Sequence, residues 1–225
     1  MVDRLAFLHT VESNIAPFDA AAVAAGFDVS CHQVRPDLLA RATDEGGVSP
    51  ALEDDVAAAL NKGLAEADLV LLTCSSIGAV ADKMHSSGQA VLRTDQILAD
   101  AVLADAIASS KATSVAVLVV APSSVDPTTA LFKARQGVMK ADNVPLDVIL
   151  VPKVWDHFLA GDMDRYLARL NEAIASFPSD NPTYSHIALA QASMAKAADG
   201  VDSGQASLWT IPSATAAYLS SLTQD

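Results

Sequence analysis

Ala67-Asp68-Leu69-Val70-Leu71-Leu72-Thr73-Cys74-Ser75-Ser76-Ile77-Gly78 decides the fold of this chain. Leu69 to Leu72 is a continuous apolar run, the pattern of a parallel strand covered on both faces. The following Ile77-Gly78-Ala79-Val80-Ala81 has the composition of a helix. Between them stand the polar side chains of Thr73, Cys74, Ser75 and Ser76, where a strand ends and a helix begins. Free backbone N–H groups and the helix dipole favour negative charge at such a point, so this turn can bind a carboxylate or lower a thiol pKa from its ordinary value of about 8.5. The competing reading of Cys74 is a buried, inert thiol, the usual state of a free cysteine. A run of polar residues at a strand's carboxyl end weighs against it.

The last quarter of the chain repeats the pattern in His186-Ile187-Ala188-Leu189-Ala190-Gln191-Ala192-Ser193-Met194-Ala195. One constant offset aligns Cys74 with Gln191, Ser76 with Ser193 and Asp82 with Asp199. A second pair precedes these two: Phe7-Leu8-His9-Thr10-Val11-Glu12-Ser13 and Val117-Leu118-Val119-Val120-Ala121-Pro122-Ser123-Ser124. Each is an apolar strand opening into a hydroxyl-bearing loop, with Ser13 and Ser124 expected at equivalent places. Strand-loop followed by strand-loop, occurring twice, predicts two similar lobes with facing loops.

The whole chain alternates in the same way. Strands are expected at 4–9, 27–34, 69–72, 90–93, 115–120, 146–151, 186–190 and 207–211, with helices between them. Gly26 closes the first helix, and Ser49-Pro50 reads as an N-cap followed by proline at the first helical position. The Pro/Asn/Ser/Asp-rich stretch 177–183 reads as a loop. The result is an α/β protein of two similar lobes with parallel sheets. Lobe 1 is expected to comprise residues 1–97 and 206–225, and lobe 2 residues 98–205, with strand 207–211 returning to the first sheet. Ligands of parallel sheets bind beyond the strands' carboxyl ends, where His9, Thr10, Thr73 to Ser76, Pro122 to Ser124 and Gln191 to Ser193 all lie.

Composition excludes several functions. The 225 residues are 51% hydrophobic, ample for a core, and no apolar run reaches the roughly 18 residues needed to span a bilayer. Met1-Val2-Asp3-Arg4 leads straight into a strand rather than a signal-peptide pattern, so a soluble, cytoplasmic protein is expected. A net charge of −13 disfavours nucleic acid and anionic membranes as partners, because binding there rests on Lys and Arg meeting phosphates. The two cysteines, Cys31 and Cys74, form neither a CxxC pair nor a zinc-type cluster, and no glycine-rich nucleotide loop is present. Neither a metal nor a nucleotide cofactor is indicated. Cys31 lies in a strand and reads as packing.

Taken together, Leu-His-Thr at His9, Leu-Thr-Cys-Ser-Ser-Ile-Gly at Cys74, Val-Leu-Arg-Thr-Asp at Asp95, Ala-Pro-Ser-Ser followed by Pro-Thr at Thr128, and Leu-Ala-Gln-Ala-Ser-Met at Gln191 resemble the aspartate/glutamate racemase superfamily. That group is related to hydantoin racemase, maleate isomerase and arylmalonate decarboxylase. The resemblance spans nearly the whole chain. It implies a cofactor-independent enzyme, often a homodimer, whose two Rossmann-like lobes are related by a pseudo-two-fold axis with the active-site cleft between them. In the racemases one cysteine from each lobe faces the substrate's α-carbon. Cys74 matches the first, whereas Gln191 stands where the second is usual.

Glutamine hydrogen-bonds but does not transfer protons near neutral pH, so a two-thiol racemase mechanism is in question. The expected catalytic positions are Cys74, His9 and Gln191. Carboxylate binding and enediolate stabilisation are expected from Thr10, Ser13, Thr73, Ser75, Ser76, Ser123, Ser124, Thr128, Ala192 and Ser193. For Thr128 and Ser123 the alternative is helix capping, and Asp95 is open between orienting a neighbour, acting near the thiol and capping the following helix. The substrate would be a small carboxylate or amino acid. Open alternatives are a single-thiol decarboxylase or lyase, covalent catalysis at Cys74, or a non-catalytic carboxylate binder.

Overall fold

A computed structural model describes residues 2–109 and 113–223. Its elements, in chain order, are β1 (Arg4–His9), α1 (Ile15–Ala24), β2 (Asp28–Val34), α2 (Pro36–Asp44), α3 (Pro50–Leu64), β3 (Leu69–Leu72), α4 (Gly78–Ser86), β4 (Val91–Arg93) and α5 (Thr94–Ala108). They continue as β5 (Val115–Val119), α6 (Val125–Met139), β6 (Leu146–Leu150), α7 (Trp155–Leu159), α8 (Met163–Asp180), β7 (His186–Leu189), β8 (Ser207–Thr210) and α9 (Ile211–Leu222). Short 3₁₀ turns leave four of the strands: Glu12–Asn14 after β1, Ser75–Ile77 after β3, Pro122–Ser124 after β5 and Ala192–Ala198 after β7.

The strands form two four-stranded sheets, ordered β2-β1-β3-β4 and β6-β5-β7-β8, with every pairing parallel. The α/β class read from the alternation is what the chain adopts. It divides into two units. The first runs to Ile97 and resumes at Pro212, and the second spans Leu98–Ile211. In the first, Leu8, Val70, Leu72 and Val91 of the sheet pack with Leu38, Leu52, Val56 and Leu60 of α2 and α3 and with Ile77, Val80 and Met84 at α4. In the second, Ala116, Leu118, Ile187 and Leu189 pack with Tyr166, Leu170 and Ile174, the buried stripe of α8.

Local chemistry fixes the helix ends as read. The Ser49 hydroxyl accepts a hydrogen bond from Leu52 N–H at 3.3 Å, ahead of Pro50 in the first turn of α3. Gly26 takes φ +84° just beyond α1, a left-handed conformation that suits glycine.

Two expectations need correction. β8 does not return to the first sheet: it pairs with β7 from His186↔Ser207 to Leu189↔Thr210, and the chain re-enters the first unit only at Pro212. The connection from β7 to β8 is a single 3₁₀ stretch and a turn, which delivers the strand to the nearest open edge. Residues 177–180 belong to α8 rather than a loop. Pro178 sits in the last turn, where its missing N–H forfeits one helical bond, and Asn181 then closes the end through its N–H to Phe177 O at 2.9 Å.

Strand order places the crevice. With β1 and β3 adjacent at the middle of the first sheet, the chain leaves their carboxyl ends toward opposite faces, and a gap opens between the departing loops. The second sheet repeats this at β5 and β7. The last backbone bond across each gap is the same: Thr73 N–H to Leu8 O at 3.0 Å, and Ala190 N–H to Leu118 O at 3.0 Å. Leu118 is therefore the counterpart of Leu8. Counting onward makes Ser123 the counterpart of Ser13, and Ser124 that of Asn14, which corrects the expected Ser13/Ser124 equivalence by one residue.

Candidate functional site

In the first unit, β1 delivers His9 and Thr10 to the crevice, and β3 delivers Thr73 and Cys74. All four are buried. Strand alternation sends Thr73 and Cys74 to opposite faces of the sheet. Cys74 joins the apolar cluster that contains Leu72 and Ile77. Burial pushes the Cys74 thiol up, opposed but not cancelled by the Thr10 hydroxyl and the Ser76 and Ile77 N–H groups. The strand-to-helix position therefore does not leave a low-pKa thiolate, because desolvation exceeds the help of the turn. Cys31, half-buried on the edge strand β2, is also pushed up, first by burial and then by Glu66, with Lys62 opposing.

Thr73 faces His9. The Thr73 hydroxyl lies 2.9 Å from His9 Nδ1, and His9 Nε2 lies 2.9 Å from His32 Nδ1. Burial, then the neighbouring His32, pushes His9 down to about 3, so it is a neutral imidazole at neutral pH. Phe7 and Phe18 enclose it at ring separations of 5.6 and 5.8 Å. His32 and Asp19, whose carboxylate lies 3.5 Å from His32 Nε2, carried no sequence signal. His32 joins the site through the register that sets β2 beside β1, and Asp19 reaches it from α1.

The turn carrying Ser75 and Ser76 is held from below. Arg93, buried at the end of β4, forms a fork to Asp95 at 2.6 and 2.7 Å, reaches Asp82 at 2.8 Å and lies 3.5 Å from Ser75 O. Burial opposes its charge, but Asp95 and Asp82 outweigh that and raise its pKa above the ordinary value. Gly78 opens α4 directly over the guanidinium, and a Cβ there would collide with it. Asp95 thus orients a neighbour rather than simply capping α5. Ser75 is half-buried, Ser76 and Ser13 are exposed, and Asn14, missed in the sequence, is buried next to Ser13 in the chain.

The second unit fills the same gap differently. Gln191 Oε1 accepts from Val120 N–H at 2.6 Å and from Ala121 N–H at 3.1 Å. The counterparts of those donors in the first unit are Thr10 and Val11. Their N–H groups make no hydrogen bond among the described residues, since the facing residue there is Cys74. Ser193 bonds the Tyr166 hydroxyl at 3.0 Å, and burial pushes that phenol up to about 12, with the Ser193 bond opposing. Ser124 and Thr128 are buried one helical turn apart at the start of α6, Ser123 is exposed, and Ala192 is buried. His186 is at the opposite, amino end of β7, bonded to Ser185 at 2.8 Å and 3.4 Å from Asp105.

No family model matches the sequence, and no curated protein matches it. Solved structures do. The chain superposes on an aspartate racemase from Picrophilus torridus with a TM-score of 0.69 and 8% identity, covering 99% of this chain and 94% of the other. An aspartate racemase homologue from Pyrococcus horikoshii gives 0.62 at 11% identity, covering 99% and 100%. A glutamate racemase isoform from Bacillus anthracis gives 0.64 at 10% identity, covering 99% and 82%. At such identities the likeness speaks for architecture, and residue roles have to be argued from the site itself. The chain has the two-unit, parallel-sheet fold of the aspartate and glutamate racemases.

Proposed function

We propose that this chain is an enzyme of the aspartate/glutamate racemase type, acting at the α-carbon of a small carboxylate or amino acid through the Cys74 thiol. The observation that carries this is the contrast between the two gaps. In the second unit an amide oxygen of the protein sits on a pair of backbone N–H groups, whereas in the first the equivalent pair at Thr10 and Val11 is open beside a cysteine. A substrate carboxylate oxygen placed on that open pair is the counterpart of Gln191 Oε1. Thr10, Ser75 and Ser76 border the same gap and supply hydroxyls to the second oxygen. Such preorganised donors also stabilise the enediolate formed when the α-carbon becomes electron-rich, each contributing about 3 kcal/mol when well placed.

The proton inventory follows from Cys74. In its thiolate form it takes the α-proton, the electron pair moves into the carboxylate to give an enediolate, and the resulting thiol returns a proton to carbon. Gln191 cannot supply a second proton, because an amide has no acid–base form near neutrality. Removal and return on one face give solvent exchange with retention of configuration. A second reading, decarboxylation, is favoured by the upward-pushed thiol. There carbon dioxide leaves first, the enediolate takes the Cys74 proton, and solvent reprotonates the sulfur. In both readings Ser193 and Tyr166 form a structural pair in the second unit.

The test is proton NMR of single-enantiomer aspartate, glutamate and a series of α-substituted malonates in heavy water, with chiral analysis of the products. Exchange with retention, or loss of carbon dioxide, that disappears in Cys74→Ala supports the reading. Exchange surviving in Cys74→Ala overturns it. Saturable binding of a small carboxylate with neither exchange nor decarboxylation identifies a binder instead.

A further inference from the structure

A line of hydrogen-bonding groups crosses the first unit from its surface to the carboxyl end of β3. Asp19, the only charged residue of α1, is half-exposed and lies 3.5 Å from His32 Nε2. His32 Nδ1 and His9 Nε2 are 2.9 Å apart in rings within 16° of coplanar, and His9 Nδ1 is 2.9 Å from the Thr73 hydroxyl. Every contact joins groups that can both give and receive a proton.

Counting protons fixes the direction of the bonds. Each neutral imidazole carries one N–H, and Thr73 carries one O–H. Suppose Thr73 gives its proton to Leu8 O, which is 3.3 Å away and already holds the Thr73 N–H. His9 must then donate through Nδ1 and His32 through its own Nδ1. That leaves His32 Nε2 bare, buried and facing a carboxylate, an arrangement that costs about 1 to 3 kcal/mol. His32 Nε2 is the one buried side-chain polar atom lacking a hydrogen bond of good geometry among the described residues, so it marks the end at which the line is open. The reverse polarity pairs the inner groups and turns the outer N–H to the carboxylate 3.5 Å away: Thr73 O–H to His9 Nδ1, His9 Nε2–H to His32 Nδ1, and His32 Nε2–H toward Asp19.

In that polarity a proton enters at the inner end and leaves at the outer one. Thr73 passes its proton to His9 Nδ1 as it takes another at the carboxyl end of β3, His9 passes its Nε2 proton to His32 Nδ1, and His32 gives its Nε2 proton to Asp19. The balance is one proton in at Thr73 and one out at Asp19, with both rings left as the Nδ1–H tautomer and no charge on His9. The low pKa of His9 agrees, since the ring relays without becoming an imidazolium. Against His32 stand His9 from β1 and Asp19 from α1 as titratable groups, and Phe7 as an apolar ring.

We propose that Asp19, His32, His9 and Thr73 form a proton relay that connects solvent with the carboxyl end of β3. Its use in catalysis rests on the reading above: the relay exchanges protons between water and the carboxyl end of β3, one residue from Cys74. Thr73 is the inner terminus, and His9, His32 and Asp19 are positioning and relay residues.

The experiment is ring-nitrogen NMR of protein labelled with [15N]histidine, which reads the tautomer of each imidazole without any substrate. At pH 8 both His9 and His32 are expected as the Nε2–H tautomer. Asp19→Ala removes the acceptor of His32 Nε2–H, so both rings should turn toward the Nδ1–H tautomer together, although Asp19 does not touch His9. His32 changing tautomer while His9 keeps its own would overturn the relay, and so would an unchanged pair. If a substrate is found, His32→Gln should slow α-carbon exchange at least tenfold, within the range of about 10²- to 10⁴-fold typical of general acid–base groups. An unchanged rate overturns the catalytic use. Failure of every carboxylate to exchange removes the enzymatic reading and leaves the tautomer switch standing or falling on its own spectra.

Discussion

His9 makes the first unit acid-sensitive by a predictable amount. The buried ring is pushed from 6.5 down to about 3, mainly by desolvation, whereas in the unfolded chain it titrates normally. Between those values the unfolded state binds a proton that the native state refuses, so stability rises with pH across this window and is lost on acidification. At pH 4 the difference corresponds to about 3 kcal/mol, at 1.36 kcal/mol for each pH unit below the ordinary value. The perturbation is His9→Gln, which removes the titration and leaves only a pH-independent change from lost packing. Urea unfolding of both proteins at pH 7 and pH 4, followed by far-ultraviolet circular dichroism, gives the two differences. The wild type should lose about 3 kcal/mol more than the variant between them. Trp155 and Trp209 both lie in the second unit, so tryptophan fluorescence supplies an internal control for a transition His9 does not enter. Parallel pH profiles for the two proteins would refute the reasoning.

Three further outcomes follow from the geometry. Gly78→Ala must displace the Arg93 guanidinium from its buried fork to Asp95, and a loss of at least about 3 kcal/mol is expected, read as a lowered melting temperature; a neutral effect would mean the helix start is not built around Arg93. Gln191→Ala leaves the Val120 and Ala121 N–H groups without their acceptor and should destabilise the tryptophan-reported transition by about 1 to 3 kcal/mol, while Gln191→Glu should retain the bonds and recover most of it. Timed iodoacetamide labelling with peptide mapping should modify half-buried Cys31 before Cys74 in the ligand-free protein, and the Cys74 rate should climb only above the ordinary thiol range.

Much of the architecture was legible because it is local. Apolar runs such as Leu69 to Leu72 and Val115 to Val119 are strands, and Ser49 and Gly26 mark helix ends through side-chain and backbone chemistry that acts within a few residues. Errors arose where the deciding interaction was distant. β8 is short and only half-buried, so nothing in Ser207 to Thr210 states which sheet edge it joins. The Pro-containing stretch 177–183 read as a loop, but a proline's effect depends on its place within a helix, and at Pro178 only the final turn was left to lose. Among site residues, Cys74 and the hydroxyl run were visible as a pattern. The His9–His32 contact was not, since it depends on a register shift between Leu5 and Ala6 that has no sequence signature. Nor could the sequence show that Gln191 is an acceptor for two backbone amides, which is a matter of ångströms.

The membership of β8 bears on how the chain comes into being. All four strands of the first sheet lie before residue 98, and all four of the second lie between Val115 and Thr210. During synthesis each sheet therefore emerges whole and uninterrupted, and neither waits for a strand from the other. Only α9 is out of sequence. It is made after the second sheet and packs onto the unit made first, burying Ala214, Thr215 and Leu219. A nascent chain has its first sheet complete long before the helix that finishes that unit exists, so the interval of translation between them is a stretch of time in which the α9 docking surface is bare.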